Sequence, residues 1–210
     1  MFLLSMWKTI TQIEWEKVIT LMEIRNLVQT PTLDQKTRKI QGTAVVFNQR
    51  SEDLGGFVEE VDPHAFDGVD TSDVKLLYNH NSGDILARTS ADTLTLTVDD
   101  RGVEFEAFIP ETTLGNDTIT NIENRNVQGM SFGFTIDDED WINQSDGTLL
   151  HVIRKVGKLY ELSLTPFPAY KETDVAVSQR SMKKFLDNQN EFEVDKEWIQ
   201  IQRDLNIKEF

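Results

Sequence analysis

The stretch that decides the fold is residues 129–134, which read Gly-Met-Ser-Phe-Gly-Phe. Met130, Phe132 and Phe134 alternate with smaller residues, and a period of two is typical of a strand with one buried face. The large apolar side chains then face the core, and Ser131 faces the other way. Because its neighbours on that face are small, the sequence predicts an accessible hydroxyl, which is the first requirement for a nucleophile.

Similar alternation recurs from about residue 24 to residue 177. A turn-forming run at residues 99–102 predicts a hairpin. One helix is expected at residues 116–125 with Asn116 as its N-cap, and the acidic residues 137–140 are read as a turn. Many short strands with one embedded helix favour a mainly β (α+β) chain folded as a closed or nearly closed barrel. The expected strands are residues 43–47, 57–61, 74–78, 93–98, 103–109, 149–156 and 159–165.

The chain divides by composition into three parts. Residues 1–21 have the spacing of a short amphipathic helix, and Met22 is a candidate translation start. Residues 22–178 form the expected main domain. Residues 179–210 are charged, with apolar residues spaced for amphipathic helices, so this tail either docks to a partner or packs on its own barrel.

Composition excludes several classes of function. The 210 residues carry a formal net charge of -15, and such a chain is repelled by phosphate backbones, so nucleic-acid binding is not expected. The absence of cysteine removes disulfides, thiol nucleophiles and thiolate zinc sites. No apolar run is long enough to predict a membrane span, and residues 1–4 are too short for a signal-peptide core.

Ser131 satisfies Gly-x-Ser-x-Gly, but that pattern alone is weak. In α/β-hydrolases it belongs to a strand-turn-helix elbow, whereas a β pattern follows it here. Taken alone, the pentapeptide favours a serine on the solvent face of a strand over a nucleophile. An unrelated serine esterase remains an alternative.

Two further residues are candidate partners for a catalytic serine. His80 follows an apolar strand within the polar residues 79–84, where a rigid scaffold can hold a general base. Glu161 lies in mid-strand on the same face as Ser163. It is either an exposed charge or a carboxylate that orients an imidazole. His64 and His151 lack metal-ligand spacing, so neither a metal site nor a cofactor is expected.

These residues lie in motifs that resemble the tailed-phage prohead (capsid maturation) proteases, relatives of the herpesvirus assemblins, over roughly residues 23–178. The sequence departs from the phage pattern at His64, where a glycine is common. The motifs, in order, are residues 22–27, 40–48, 76–81, 86–89, 129–134 and 161–170.

The resemblance implies a serine endopeptidase on an assemblin-like closed β-barrel with surrounding helices and a helical C-terminal tail. It implies Ser131 as nucleophile, His80 as general base and later acid, and Glu161 where the herpes enzymes have a histidine. The implied substrates are the scaffolding part of the major capsid protein and the protease itself, cleaved inside the immature prohead in the host cytoplasm. Dimerisation is implied by the herpes relatives. A non-enzymatic scaffold protein on the same fold is the alternative.

Overall fold

The computed structural model describes residues 22–27 and 31–166, together with residues 182–183 and 185–187. Two compact units divide the chain, residues 1–175 and 176–210. In the second unit, residues 182–183 and 185–187 are helical. The predicted helix at residues 1–21 and most of the predicted tail at 179–210 lie outside the described residues.

The elements of the first unit are β1 (Glu23–Leu27), β2 (Thr32–Asp34), β3 (Lys39–Val46), β4 (Phe57–Val61), β5 (Lys75–Tyr78), β6 (Asn81–Arg88), a 3₁₀ turn (Thr89–Ala91), β7 (Leu94–Asp99), β8 (Gly102–Phe108), α1 (Thr113–Glu123), β9 (Gly129–Asn143) and β10 (Leu149–Thr165).

The strands form two open sheets. Sheet A has the order β1-β9-β10-β5-β6, with β4 also pairing with β10, and sheet B has the order β2-β3-β8-β7. β4 and β5 run parallel to β10, and the other pairs are antiparallel. The prediction of a closed barrel is therefore wrong. Sheet A ends at β1 and β6, which do not pair with each other.

The length of β10 explains why alternation misled the prediction. This strand pairs with β9 along one side and takes β4 and then β5 along the other, at residues 149–153 and 161–164. A pattern of period two identifies a strand, but it does not say which edges pair. The surrounding helices are also wrong for the described residues, because residues 31–166 contain a single α-helix.

β9 and β10 form a long hairpin, and β9 runs through the residues where an acidic turn was predicted. The prediction that residues 137–140 turn is wrong, because β9 continues to Asn143. The acidic side chains are compensated from β10: Arg154 donates to Asp140 at 2.7 Å and His151 contacts Glu139 at 2.7 Å. Cross-strand pairs of this kind stabilise a charged strand that would otherwise resemble a turn.

Gly157 keeps β10 continuous where two strands were predicted. The register with β9 shifts around this residue. A Cβ at residue 157 would lie 2.2 Å from Oδ1 of Asp137 and 3.0 Å from Oγ1 of Thr135. The glycine therefore marks a close approach within a strand, not a break between strands.

Helix α1 begins earlier than predicted. Its N-cap is Thr112 instead of Asn116, and Oγ1 of Thr112 accepts a hydrogen bond from the backbone N–H of Gly115 at 3.0 Å. The helix buries Ile119 and Ile122 in the core.

The core cluster contains side chains from both sheets. Met130 and Phe132 of β9 and Leu162 of β10 belong to the same cluster as Ile40 and Phe105 of sheet B. Residues between these on β9 and β10 point away from that core, since successive side chains of a strand alternate between faces. The candidate site lies on this second face of sheet A.

Candidate active site

His80 lies in the tight turn between β5 and β6. The turn has two central residues, Asn79 and His80, with φ of 50° and 60°. Positive φ at both positions is the type I′ geometry of short hairpins, which usually favours Asn-Gly. The left-handed conformation costs a histidine roughly 1 kcal/mol relative to glycine. His80 therefore lies in a two-residue turn and not in the longer polar loop predicted for residues 79–84. That predicted loop includes the start of β6 at Asn81.

The imidazole of His80 contacts Glu161. Nδ1 lies 2.9 Å from Oε1, and the two side chains are 23% and 6% exposed. An ionised carboxylate can only accept a hydrogen bond, so this contact assigns the proton to Nδ1 of a neutral imidazole. Nε2 is then the basic nitrogen, the tautomer that a general base needs.

Ser131 lies on the same face of sheet A, one strand away. It pairs directly with Ser163 of β10, and Gly133 pairs with Glu161. Directly opposed residues on antiparallel strands point to the same face. The hydroxyl of Ser131 thus shares a face with the carboxylate of Glu161 and with the hydroxyl of Ser163.

The expected exposure of Ser131 is wrong. Its side chain is 0% exposed, and Oγ has no hydrogen-bond partner among the described residues. β9 lies between β1 and β10, so Ser131 has Asn26 on one side and Ser163 on the other. Small neighbours leave space around a hydroxyl, but a position in the interior of a sheet decides whether water reaches it. The structure pairs His80 with Glu161 and leaves Ser131 without a hydrogen bond to His80.

Gly133 makes room for the carboxylate of Glu161. A Cβ at residue 133 would lie 2.6 Å from Oε1 and 3.3 Å from Cγ of Glu161, and 3.2 Å from Sδ of Met22. The second glycine of the Gly-x-Ser-x-Gly pattern therefore has a steric role here. The short distance to Sδ also shows that Met22, immediately before β1, lies on the face of sheet A that carries Ser131.

Ser163 is the site residue that sequence reasoning missed. Its Oγ accepts a hydrogen bond from the backbone N–H of His80 at 3.0 Å and donates one to Oε2 of Glu161 at 2.6 Å. The signal was present, because Ser163 shares its strand face with Glu161. A serine two residues from a carboxylate is too common to single out without the turn that meets it.

A second polar cluster is buried in sheet A on the core side. Arg25 of β1 lies opposite Phe132 and donates hydrogen bonds to Glu23 and Glu59. Nδ1 of His151 lies 2.8 Å from Oε2 of Glu59. We call Glu23, Arg25, Glu59, Glu139 and His151 the buried charge cluster.

His151 forms the centre of the buried charge cluster. Its ring is fully buried, and Nε2 lies 2.7 Å from Oε2 of Glu139. The indole of Trp141 stacks on it with ring centroids 4.2 Å apart. Burial alone would lower the pKa of His151, but the hydrogen bonds to Glu139 and Glu59 outweigh burial and raise it to about 9.

The same cluster fixes the charge of Glu59. Burial alone would raise the pKa of this carboxyl, but the positive charge of Arg25 and the hydrogen bond with His151 lower it to about 2. The cluster therefore contains charged groups of both signs at neutral pH. Its contacts tie β1 and β4 to the β9–β10 hairpin, so we interpret it as a structural device outside the candidate site.

The remaining histidine, His64, and Arg154 of β10 lie outside the candidate site. His64 is exposed, with Nδ1 3.0 Å from Oδ2 of Asp67. Arg154 forms ion pairs with Asp62 and Asp140.

No group of three or more His, Cys, Asp or Glu side chains within the described ranges is arranged to hold a metal ion. No helix among the described residues is long and apolar enough to cross a membrane.

A comparison with known protein families identifies the family of this chain. The family model of the caudovirus prohead serine proteases matches residues 26–188, more than half of the chain. The chain belongs to this family. The resemblance drawn from the motifs is thereby confirmed, and the residues matched to the prohead serine proteases include His80, Ser131 and Glu161.

The capsid assembly protease gp21 of bacteriophage T4 is similar in structure, with a TM-score of 0.43 and 10% sequence identity, over 69% of this chain and 96% of that chain. A similarity at this level supports no inference of its own. No curated protein sequence matches the chain.

Proposed function

We propose that this chain is a serine endopeptidase with Ser131 as nucleophile, His80 as general base and Glu161 as the carboxylate that orients the imidazole. The observation that carries the proposal is the 2.9 Å contact between Nδ1 of His80 and Oε1 of Glu161, on the strand face that Ser131 shares. Membership of a serine protease family supports the assignment. A hydroxyl without a hydrogen-bond partner is also the one that a base is free to engage.

The proposed reaction follows from this geometry. Nε2 of neutral His80 takes the proton from Oγ of Ser131 as that oxygen attacks the scissile carbonyl carbon. The imidazolium that forms is stabilised by the negative charge of Glu161. The proton then passes from Nε2 to the leaving amine, and a water molecule repeats the sequence to release the acyl group from Ser131. Hydrogen-bond donors must meet the negative charge that develops on the carbonyl oxygen.

Burial of Ser131 requires a step before chemistry. A side chain that is 0% exposed cannot reach a peptide bond. The groups over Ser131 must therefore move, and the hydroxyl and Nε2 of His80 must come within hydrogen-bond distance, when substrate binds. The structure on this reading is a closed form of the enzyme.

Family membership also supports a substrate and a place of action. We infer that the protease cleaves the scaffolding part of the phage major capsid protein, and itself, inside the immature prohead in the host cytoplasm. We further infer that it acts as a homodimer. No nucleic acid or membrane partner is proposed.

Coexpression with the cognate major capsid protein tests the proposal. Wild-type protease should shorten the capsid protein on a gel, and Ser131→Ala should abolish the shortening while the protease remains folded. Ser145→Ala is the matched control, since Ser145 is an exposed serine in the turn between β9 and β10. Normal shortening by Ser131→Ala would exclude Ser131 as the nucleophile.

One observation favours a second candidate. Ser131 is buried and makes no hydrogen bond to His80, which is what a non-enzymatic scaffold protein on this fold would also show. Such a protein would leave the capsid protein intact and would not react with diisopropyl fluorophosphate. An unrelated serine esterase would hydrolyse small esters and would not process the capsid protein.

A further inference from the structure

Ser163 connects the backbone of His80 to the side chain of Glu161. Its Oγ accepts from the N–H of His80 at 3.0 Å and donates to Oε2 of Glu161 at 2.6 Å. Oε1 of the same carboxylate is the atom that meets Nδ1 of His80 at 2.9 Å. The three contacts close a ring through one hydroxyl, one carboxylate and one residue of the turn.

This ring restrains two torsions on which the proposed base depends, namely the backbone of His80 and the carboxylate rotation of Glu161. His80 lies in the left-handed region at φ of 60°, so its backbone requires support from its surroundings. The carboxylate of Glu161 could rotate about its last bond, but each of its oxygens has a different partner. A buried, donated hydrogen bond to Oε2 therefore selects the rotation in which Oε1 faces Nδ1.

Ser163 differs from Ser131 in its hydrogen bonding. The two serines are directly opposed on neighbouring strands, and each is 0% exposed. Oγ of Ser131 has no partner among the described residues, whereas Oγ of Ser163 has two. Ser163 already donates its hydroxyl proton to a carboxylate, so it is not the hydroxyl that awaits a base.

We propose that Ser163 is a positioning residue, whose hydroxyl holds the turn of His80 and the carboxylate of Glu161 in the geometry that makes Nε2 a base. This inference rests on the proposed function, since it assigns Ser163 a part in the same reaction. Ser163 touches neither the reacting atoms nor the substrate in this scheme. It acts through His80 and Glu161.

Inactivation by diisopropyl fluorophosphate tests the inference without knowledge of the cleavage site. In this reaction Oγ of the serine attacks phosphorus, fluoride leaves, and the base takes the serine proton. With purified full-length protease, Ser163→Ala should lower the maximal rate of inactivation about 10- to 100-fold, because misplacement of a base costs a factor of this order. The half-saturating probe concentration should change less than twofold. A purely structural defect would lower the amount of reactive protein and leave the rate of the reactive fraction unchanged.

The nuclear magnetic resonance signal of the Nδ1 proton of His80 gives a second readout. The hydrogen bond to Glu161 should place this proton far downfield in the wild type, and Ser163→Ala should shift it upfield or broaden it by exchange. Ser163→Thr, which keeps the hydroxyl and suits a strand, should retain most of the signal and the rate. If Ser163→Ala does not fold, Ser163→Cys keeps the volume and weakens both hydrogen bonds, and the same two changes are expected in smaller degree.

The outcomes separate the two proposals. A Ser163→Ala protein with the wild-type inactivation rate and an unchanged His80 signal would overturn the role of Ser163 and leave the proposed function standing. A wild-type protein that leaves the cognate capsid protein intact, or a Ser131→Ala protein that shortens it, would overturn the proposed function. In that case the His80 signal alone still decides whether Ser163 positions the imidazole.

Discussion

Gly133 lies directly beneath the carboxylate of Glu161, so close that a Cβ at residue 133 would be 2.6 Å from Oε1. The glycine and the glutamate are directly opposed on β9 and β10. The carboxylate crosses towards the strand of Ser131 through the space where a side chain would otherwise be. Substitution of Gly133 therefore probes the position of the carboxylate without changing any ionisable group.

We expect Gly133→Ala to lower proteolysis at least about 10-fold, because the added methyl group displaces Oε1 from Nδ1 of His80. The free energy of unfolding should change by about 1 kcal/mol or less, since the displaced group is the end of a side chain. Capsid shortening and thermal unfolding measure the two effects. Gly83→Ala is the control, because a Cβ there would meet its nearest atom at an ordinary 3.4 Å. Full activity in Gly133→Ala would show that the observed carboxylate position is not required.

Glu161→Gln should reduce the cleavage rate less than Ser131→Ala or His80→Ala. An amide at residue 161 retains an oxygen that can accept from Nδ1, but it lacks the charge that stabilises the imidazolium. The members of such a triad act as a unit, and loss of the orienting member is often the least costly. Initial rates of capsid cleavage for the three variants give the order. If Glu161→Gln were as inactive as Ser131→Ala, Glu161 would have a larger role than orientation.

Met22 lies on the face of sheet A that carries Ser131, with Sδ 3.2 Å from the position of a Cβ on Gly133. Met22→Ala should open this face and increase the rate at which diisopropyl fluorophosphate labels Ser131, by a fewfold. The measurement is the mass shift of the peptide that contains Ser131 over time. Ile142→Ala, which truncates an exposed apolar residue near the far end of β9, should label at the wild-type rate. Equal labelling of both variants would mean that Met22 does not limit access.

The buried charge cluster should make stability depend on pH. The folded pKa of His151 is raised from 6.5 to about 9, so its contribution is fully present below pH 6.5 and is lost as the pH rises through 9. The free energy of unfolding should therefore fall by roughly 3 kcal/mol between these values. Glu59, whose pKa is lowered from 4.5 to about 2, contributes above pH 4.5 and loses its contribution as the pH falls towards 2.

Urea unfolding at pH 6.5 and pH 9 measures this slope. His151→Gln should be less stable at pH 6.5 and should lose most of the difference between the two pH values. His64→Gln removes an exposed histidine and should keep the wild-type slope. A wild-type protein that is equally stable at both pH values would contradict the assignment of a charged, paired His151.

Arg25 should be among the most costly residues of sheet A to remove. Arg25→Met removes the guanidinium that pairs with the buried carboxylates of Glu23 and Glu59, and loss of one member of a buried ion pair typically costs about 3–5 kcal/mol. Arg50→Met, in which the lost side chain is 52% exposed, should cost less than about 1 kcal/mol. Denaturant midpoints of the two variants test the contrast, and equal midpoints would show that the cluster is dispensable.

Alternation predicted individual strands well where each strand is short and bounded by turn residues. β4 runs from Phe57 to Val61 as expected, and the β7–β8 hairpin turns within residues 99–102. Prediction failed where charge or glycine resembled a boundary. The acidic residues 137–140 lie inside β9, where Glu139 and Asp140 contact His151 and Arg154 of β10. Gly157 lies inside β10, where the absence of a side chain admits the carboxylate of Asp137.

The sequence by itself determined the family, the strand-rich composition and the three residues proposed for catalysis, because short motifs and a period of two are local properties of a chain. Only the tertiary structure decided that the sheets stay open, that Ser131 is buried, and that Ser163 links His80 to Glu161. These facts depend on which strand edges pair and on what covers each face. Contacts between residues such as His80 and Ser163, 83 positions apart, leave no periodic trace in the sequence.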